Sequence, residues 1–200
     1  MSINETVVLI GGTNPLAKAL VEAYLSKKNN YKILVTAKDK QKFNSLYSAK
    51  EFKAVEFFKM DVRDLEDIGR LIIYLKVNTV KISIFYLAAI KNNKSDAIED
   101  LFQINFFSSV HIYDALLTHL LDFNYILVGS QGDLHGTVST SSYNASKSAM
   151  SNYFEPIALR NKQVKKVFLI KPWLFKSKMI KQSNLIDLIT CSTQYTARTI

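Results

Sequence analysis

Cysteine is nearly absent from this chain: Cys191 is the only one among 200 residues. A lone thiol excludes a disulfide framework and a cysteine-based zinc site. Histidine is almost as scarce, at His111, His119 and His135. His111 and His119 fall eight apart on a predicted helix, which reads as placement on a face, because metal sites need clustered ligands. Long apolar runs are missing as well. Val7-Val8-Leu9-Ile10 and the stretch from Ile82 to Ile90 fall far short of the ~20 residues that span a bilayer. The opening Met1-Ser2-Ile3-Asn4-Glu5 leads straight into a strand-like segment, without the charged start, apolar centre and cleavage site of a secretory leader. A cytoplasmic location is therefore expected. Nor is there a basic block. The formal charge is +9, yet lysine and arginine are spread along the chain, and the groupings are doublets such as Lys27-Lys28 and Lys165-Lys166. A nucleic-acid surface would carry a concentrated stripe or a known motif. The charge reads as solvated surface with room for anionic ligands, and no nucleic-acid or membrane partner is expected.

What is present is a chain that is 48% hydrophobic and 22% charged, enough for one domain with a substantial core, spanning residues 1–200. Short β-branched runs alternate with longer amphipathic stretches. Thr6–Ile10, Tyr31–Thr36, Ala54–Lys59, Lys81–Leu87, Asn124–Val128 and Val164–Ile170 read as strands. Helices are predicted near Asn14–Lys28, near Lys40–Ser48, over Leu65 to Leu75, over Ser95–Leu121 as one long stretch, and over Ser141–Arg160. Leu16, Ala17, Leu20, Val21 and Tyr24 show the helical spacing. This order implies βαβ units with right-handed crossovers and a parallel sheet. The expected architecture is a single-domain, doubly wound, Rossmann-like α/β fold. Ligands in such folds bind beyond the carboxyl ends of the strands.

Two motifs fall there. Gly11-Gly12-Thr13-Asn14-Pro15-Leu16-Ala17 joins the first strand to the first helix, a turn that lets backbone approach a pyrophosphate at a helix N-terminus. Its signal is weak alone, because only two of those residues are glycine. Ser142-Tyr143-Asn144-Ala145-Ser146-Lys147 is more specific. Tyr143 and Lys147 are four apart and share a helix face. An ammonium beside a phenol favours the phenolate, so a depressed tyrosine pKa is expected. Ser130 stands thirteen residues before Tyr143, at the end of the fifth strand.

On these residues the chain resembles the short-chain dehydrogenase/reductase family over about residues 5–180. The resemblance implies that Tyr143 exchanges a proton with a carbonyl or hydroxyl oxygen, and that Lys147 holds the nicotinamide ribose. It implies further that Ser130 steadies the reacting oxygen, and that Asn105, within Gln103-Ile104-Asn105, holds a water of a proton relay. Cofactor contacts are implied at Gly11, Thr13, Asn14, Leu16, Lys38, Asp61, Val62, Ala88, Ala89, Tyr143, Lys147, Pro172, Phe175 and Ser177. Asp61-Val62 falls where the family keeps an acid beside the adenine. Tyr86-Leu87-Ala88-Ala89 stands for the family's Asn-Asn-Ala-Gly, and Pro172 to Met179 resembles its Pro-Gly-x-x-x-Thr-x-Met segment, with Trp173 and Ser177 replacing glycine and threonine.

The chain also departs from that pattern. The family's glycine positions are held by Gly11, Pro15 and Ala17. Proline lacks an N–H and fixes φ, which suits the first turn of a helix, so an altered grip on pyrophosphate is expected. Ala37 stands where an acid would hold a ribose 2′-hydroxyl, and Lys38 follows it. That favours NADP(H), with NAD(H) as the alternative if Asp39 does the ribose work. Only 30 residues follow Ile170, so either the chain is partial or the sheet stops before a seventh strand; residues 172–190 would cover the substrate. The residues around Gln131–Ser142 and Leu174–Ile189 are expected in the pocket wall, with Leu134, Trp173, Leu174 and Phe175 apolar beside Gln131, Asp133 and His135. The expected function is hydride transfer between NADP(H) and a small carbonyl or alcohol substrate. The alternatives are a dinucleotide-binding sensor or scaffold that has lost turnover, and an epimerase or dehydratase, for which a larger C-terminal substrate domain would be expected. Pairing through the two long helices, using Phe102, Phe106, Phe107, Tyr153 and Phe154, would give a homo-dimer or homo-tetramer.

Overall fold

The β-branched runs become six strands, and every one of them runs parallel to its neighbours. In the computed structural model, residues 5–27, 30–78, 81–91, 98–120, 122–134, 140–160 and 165–172 are described. Their order is β1 (Glu5–Ile10), α1 (Pro15–Leu25), β2 (Tyr31–Ala37), α2 (Lys40–Tyr47), β3 (Val55–Lys59), α3 (Leu65–Asn78), β4 (Ile82–Tyr86), α4 (Ile98–Phe102), α5 (Ser108–His119), β5 (Phe123–Val128), α6 (Ser141–Arg160) and β6 (Lys165–Ile170). The sheet order is β3-β2-β1-β4-β5-β6. It reverses between β1 and β4, the switch point at which doubly wound folds place their ligands.

The central strands are buried on both faces, which is why they read as continuous apolar runs and not as alternating ones. Val7 through Ile10 are wholly buried, and side chains from successive residues enter opposite cores. One core joins Val8, Ile10 and Tyr86 to α3, α5 and α6 through Ile68, Leu71, Ile112, Leu116, Met150 and Phe154. The other joins Val7, Leu9 and Val35 to α1 and α2 through Leu16, Leu20, Val21, Phe43 and Tyr47. Burial of this kind contributes about 25 cal/mol per Å² of apolar surface.

The strands match expectation to within one residue at each end, and α6 matches throughout. Val164 lies outside the described residues. The long helix does not match. Between α4 and α5 the chain makes a π turn over Gln103–Phe107. Ser108 N–H and its hydroxyl both reach back to the Gln103 carbonyl, and the Tyr86 hydroxyl donates to the Ile104 carbonyl. Such a turn inserts one residue without changing hydrophobic composition, so apolar spacing does not reveal it; π turns gather at functional sites. The residue at its centre is Asn105, which is wholly buried. The expectations about a seventh strand, and about residues 173–190, lie outside the described residues.

Candidate active site

A cleft of about 880 Å³ runs along the carboxyl ends of the strands. Its walls include Gly11 after β1, Lys38 after β2, Asp61 after β3, Ala88 after β4, Ser130 after β5 and Pro172 after β6.

At the β1–α1 turn the backbone decides the shape. Gly11 has φ +73°, and a Cβ there would lie 2.6 Å from the Ala88 Cα, so only glycine fits. The Tyr47 hydroxyl donates to the Gly12 carbonyl at 2.8 Å. Asn14 caps α1: its Oδ1 accepts from Ala17 N–H at 3.0 Å, and its Nδ2 donates to the Gly11 carbonyl at 2.9 Å. Pro15 occupies the first turn of α1, where its missing donor costs little. The irregular sequence thus folds into an ordinary capped turn, with the helix N-terminus facing the cleft.

The rim beyond β2 and β3 is charged. The Lys38 ammonium lies 3.0 Å from Asp61 Oδ2, and Arg63 bridges Asp61 and Asp100 at 3.0 and 2.9 Å. Burial works against the Asp61 carboxylate, but Arg63 and Lys38 outweigh it and its pKa falls to about 2. Asp39 is committed elsewhere: it caps α2, accepting from Gln41 and Lys42 N–H at 2.7 and 3.2 Å.

The other end is built from buried side chains. Tyr143 and Ser130 both line it, with the serine hydroxyl acting to pull the tyrosine pKa down, and Ser130 Oγ accepts from Gly132 N–H at 3.1 Å. Lys147 is 3% exposed, and its ammonium donates to the Val128 carbonyl at 2.9 Å. Burial lowers the Lys147 pKa to about 8, with Asp133 acting against that fall. Asn105 accepts from Ile90 N–H, and its Nδ2 donates to both the Ile90 carbonyl and Ser146 Oγ, each at 2.9 Å. It therefore pins the π turn to the loop after β4 and to α6.

Two expectations need correction. The Tyr143 pKa is raised, not depressed: burial dominates, and the Ser130 hydroxyl opposes it only in part. The physical reason is that the Lys147 ammonium is engaged by the Val128 carbonyl, so desolvation acts on the phenol largely unopposed. Asp133 does not line the cleft; its side chain is 2% exposed and paired with Lys171. Leu134 is 63% exposed.

Of the predicted cofactor residues, Gly11, Thr13, Asn14, Leu16, Lys38, Asp61, Val62, Ala88, Ala89, Tyr143, Lys147 and Pro172 all line the cleft. Phe175 and Ser177 lie outside the described residues, as do His135, Trp173 and Leu174. Asn105 stands behind the wall. Thr140, within the expected Gln131–Ser142 stretch, is in the lining, whereas sequence reasoning missed Lys42, Arg63, Ile90, Lys91 and Asn144 there. Position just after a strand could have flagged Arg63 and Ile90; nothing local marks Lys42. The expected pairing surface is divided. Phe154 is core, whereas Phe107 is 45% and Tyr153 39% exposed, with Phe106 ring-packed against both. Among the described residues no cluster of His, Cys, Asp and Glu could hold a metal, and no helix is long and apolar enough to cross a membrane.

A family model described as short chain dehydrogenase matches residues 5–186. No curated protein sequence matches the chain. A solved structure titled ElxO with NADP bound superposes with TM-score 0.82 at 16% identity, covering 98% of this chain and 89% of ElxO. A short-chain dehydrogenase from Streptomyces avermitilis gives TM-score 0.80 at 16% identity, covering 100% of this chain and 82% of that one. A short-chain type dehydrogenase/reductase from Mycobacterium ulcerans gives 0.81 at 11% identity, with the same coverage.

Proposed function

The chain belongs to the short chain dehydrogenase family, a family of oxidoreductases, and from that premise we propose that it interconverts a small carbonyl compound and its alcohol with NADP(H). The observation that carries the reading is that Tyr143, Ser130 and Lys147 line one end of a single cleft that continues to the Gly11 turn. The residues present suit a dinucleotide. Gly11 leaves a cradle that a Cβ would fill, the α1 N-terminus favours an anion, and Lys38, Lys42 and Arg63 line the rim. An exposed cation such as Lys38, although it rests on Asp61, is suited to a 2′-phosphate, and Asp39 is occupied as a cap; both favour NADP(H) over NAD(H).

The bound nicotinamide would supply or accept the hydride. Tyr143 gives its proton to the substrate oxygen in reduction and recovers it in oxidation. Ser130 steadies that oxygen as charge develops on it. Lys147 holds the ribose hydroxyls and, once drawn to them, eases ionisation of Tyr143. The Asn105 side chain is fully used on Ile90 and Ser146, so a relay water would sit on its main-chain carbonyl, with the side chain as the positioning element. The apolar Phe107 and Tyr153 suit pairing of two copies.

The raised Tyr143 pKa favours a second reading, a dinucleotide-binding sensor without turnover. NADPH consumption over a panel of ketones and aldehydes, repeated with Tyr143→Phe, separates the two. Turnover lost in the variant supports the enzyme. Binding without turnover in either protein supports the sensor.

A further inference from the structure

Three residues beyond Ser130 the chain turns Asp133 away from the cleft. Its Oδ2 accepts from the Ser151 hydroxyl and lies 3.2 Å from Lys171 Nζ. Its main-chain carbonyl accepts from Ser148 Oγ at 2.8 Å, and its N–H donates to the Ser130 carbonyl at 3.3 Å. Ser151 lies four residues past Lys147 and so shares its helix face, and Ser148 lies beside that face, so Asp133 packs along the edge of the face that carries the lysine. Among the described residues Oδ1 is buried with no hydrogen-bond partner. A buried carboxylate is costly unless paired, and the cation beside it among those residues, Lys171, is shared with Glu155 at 3.5 Å.

We propose that Asp133 is a positioning residue of the active site: its buried carboxylate clamps the Ser130 turn onto α6 and sets a negative charge on Ser151, one helical turn beyond Lys147. The clamp joins the end of β5, the middle of α6 and the end of β6, the three places from which the catalytic end of the cleft is built. Around Lys147, α6 contributes Tyr143, β5 the Val128 carbonyl, and the π turn only the neutral Asn105, acting through Ser146. Lys171 and Glu155 lie behind Asp133. Among the described residues Asp133 is thus the carboxylate that opposes the desolvation of Lys147. Removing its charge lets the lysine lose its proton at lower pH; removing Lys171 leaves that charge less compensated and does the reverse.

The proposal rests on the catalytic reading of Tyr143 and Lys147, so its test needs a readout besides turnover. NMR titration of the full chain carrying ¹³C-labelled lysine, with Lys147 assigned through Lys147→Arg, gives the midpoint directly. Asp133→Asn should lower that midpoint by about one unit or more and move the alkaline limb of kcat/KM with it. NADPH affinity should change by less than about threefold. Lys171→Gln should move both upward. Midpoints that stay fixed, or that move the same way in both variants, overturn the proposal. Should Asp133→Asn fail to fold, the upward shift in Lys171→Gln decides alone. Should the protein turn nothing over, the midpoints still decide the role of Asp133, and only the catalytic reading falls.

Discussion

The two ends of the cleft are made differently. At the end proposed for the nucleotide, shape comes from backbone: a positive φ at Gly11, a capped helix start at Asn14, and ion pairs at the rim with Lys38 side chain 59% exposed. At the end proposed for catalysis, shape comes from buried side chains: Asn105 and Lys147 are 0% and 3% exposed and bond across four separate segments. Exposed ion pairs are worth little and yield to salt, whereas a buried polar group left without its partner costs about 1–3 kcal/mol. The nucleotide end should therefore adapt to its ligand, and the catalytic end should be rigid and intolerant.

Tyr143→Phe tests that contrast most severely. Losing the proton donor should cut kcat by about 10³-fold with the fold and NADPH affinity intact, read by steady-state kinetics and fluorescence titration. Asn105→Ala strands both polar groups of Ile90 and should lower stability by about 3 kcal/mol in chemical denaturation. A loss under about 1 kcal/mol would mean the catalytic end is no more rigid than the rim. Gly11→Ala forces a side chain into Ala88 and a left-handed backbone; we expect a cost of about 2 kcal/mol and a collapse of NADPH binding.

The pH dependence carries its own sign. Burial brings the Lys147 pKa down from the ordinary 10.5 to about 8. Catalysis that needs its charge should decline above pH 8. Over the same range the unfolded chain holds the extra proton, so the penalty for burying the charge is relieved and stability rises as pH goes from 8 to 10.5. Activity and stability moving together there would contradict this. The smallest effect belongs to the rim: Lys38→Ala should weaken NADPH by about fivefold, or ~1 kcal/mol, leave NADH nearly unchanged, and matter less at high salt.

The same contrast governs how much could be read from sequence. Strands and helices followed from periodicity because buried parallel strands are continuous apolar runs and helices bury every third or fourth residue. The Tyr143–Lys147 spacing was legible because four residues make one helical turn. Pro15 at the first helical position was legible for the same local reason. The π turn was not, since an added residue there leaves composition and apolar spacing almost unchanged. Asp133 was misread as a pocket residue because its partner Lys171 is 38 positions away, and sequence carries no sign of that meeting.

By itself, the order of residues determined the alternation of strands and helices, the parallel sheet and the candidates for acid and cation. These depend on local dihedral preference and on which residues avoid water. Tertiary structure alone decided that Lys147 leans on Val128, that Asn105 is spent on Ile90 and Ser146, and that burial raises the Tyr143 pKa instead of lowering it. Those outcomes depend on distances between remote segments and on how much water packing removes, and neither quantity exists until the chain has closed on itself.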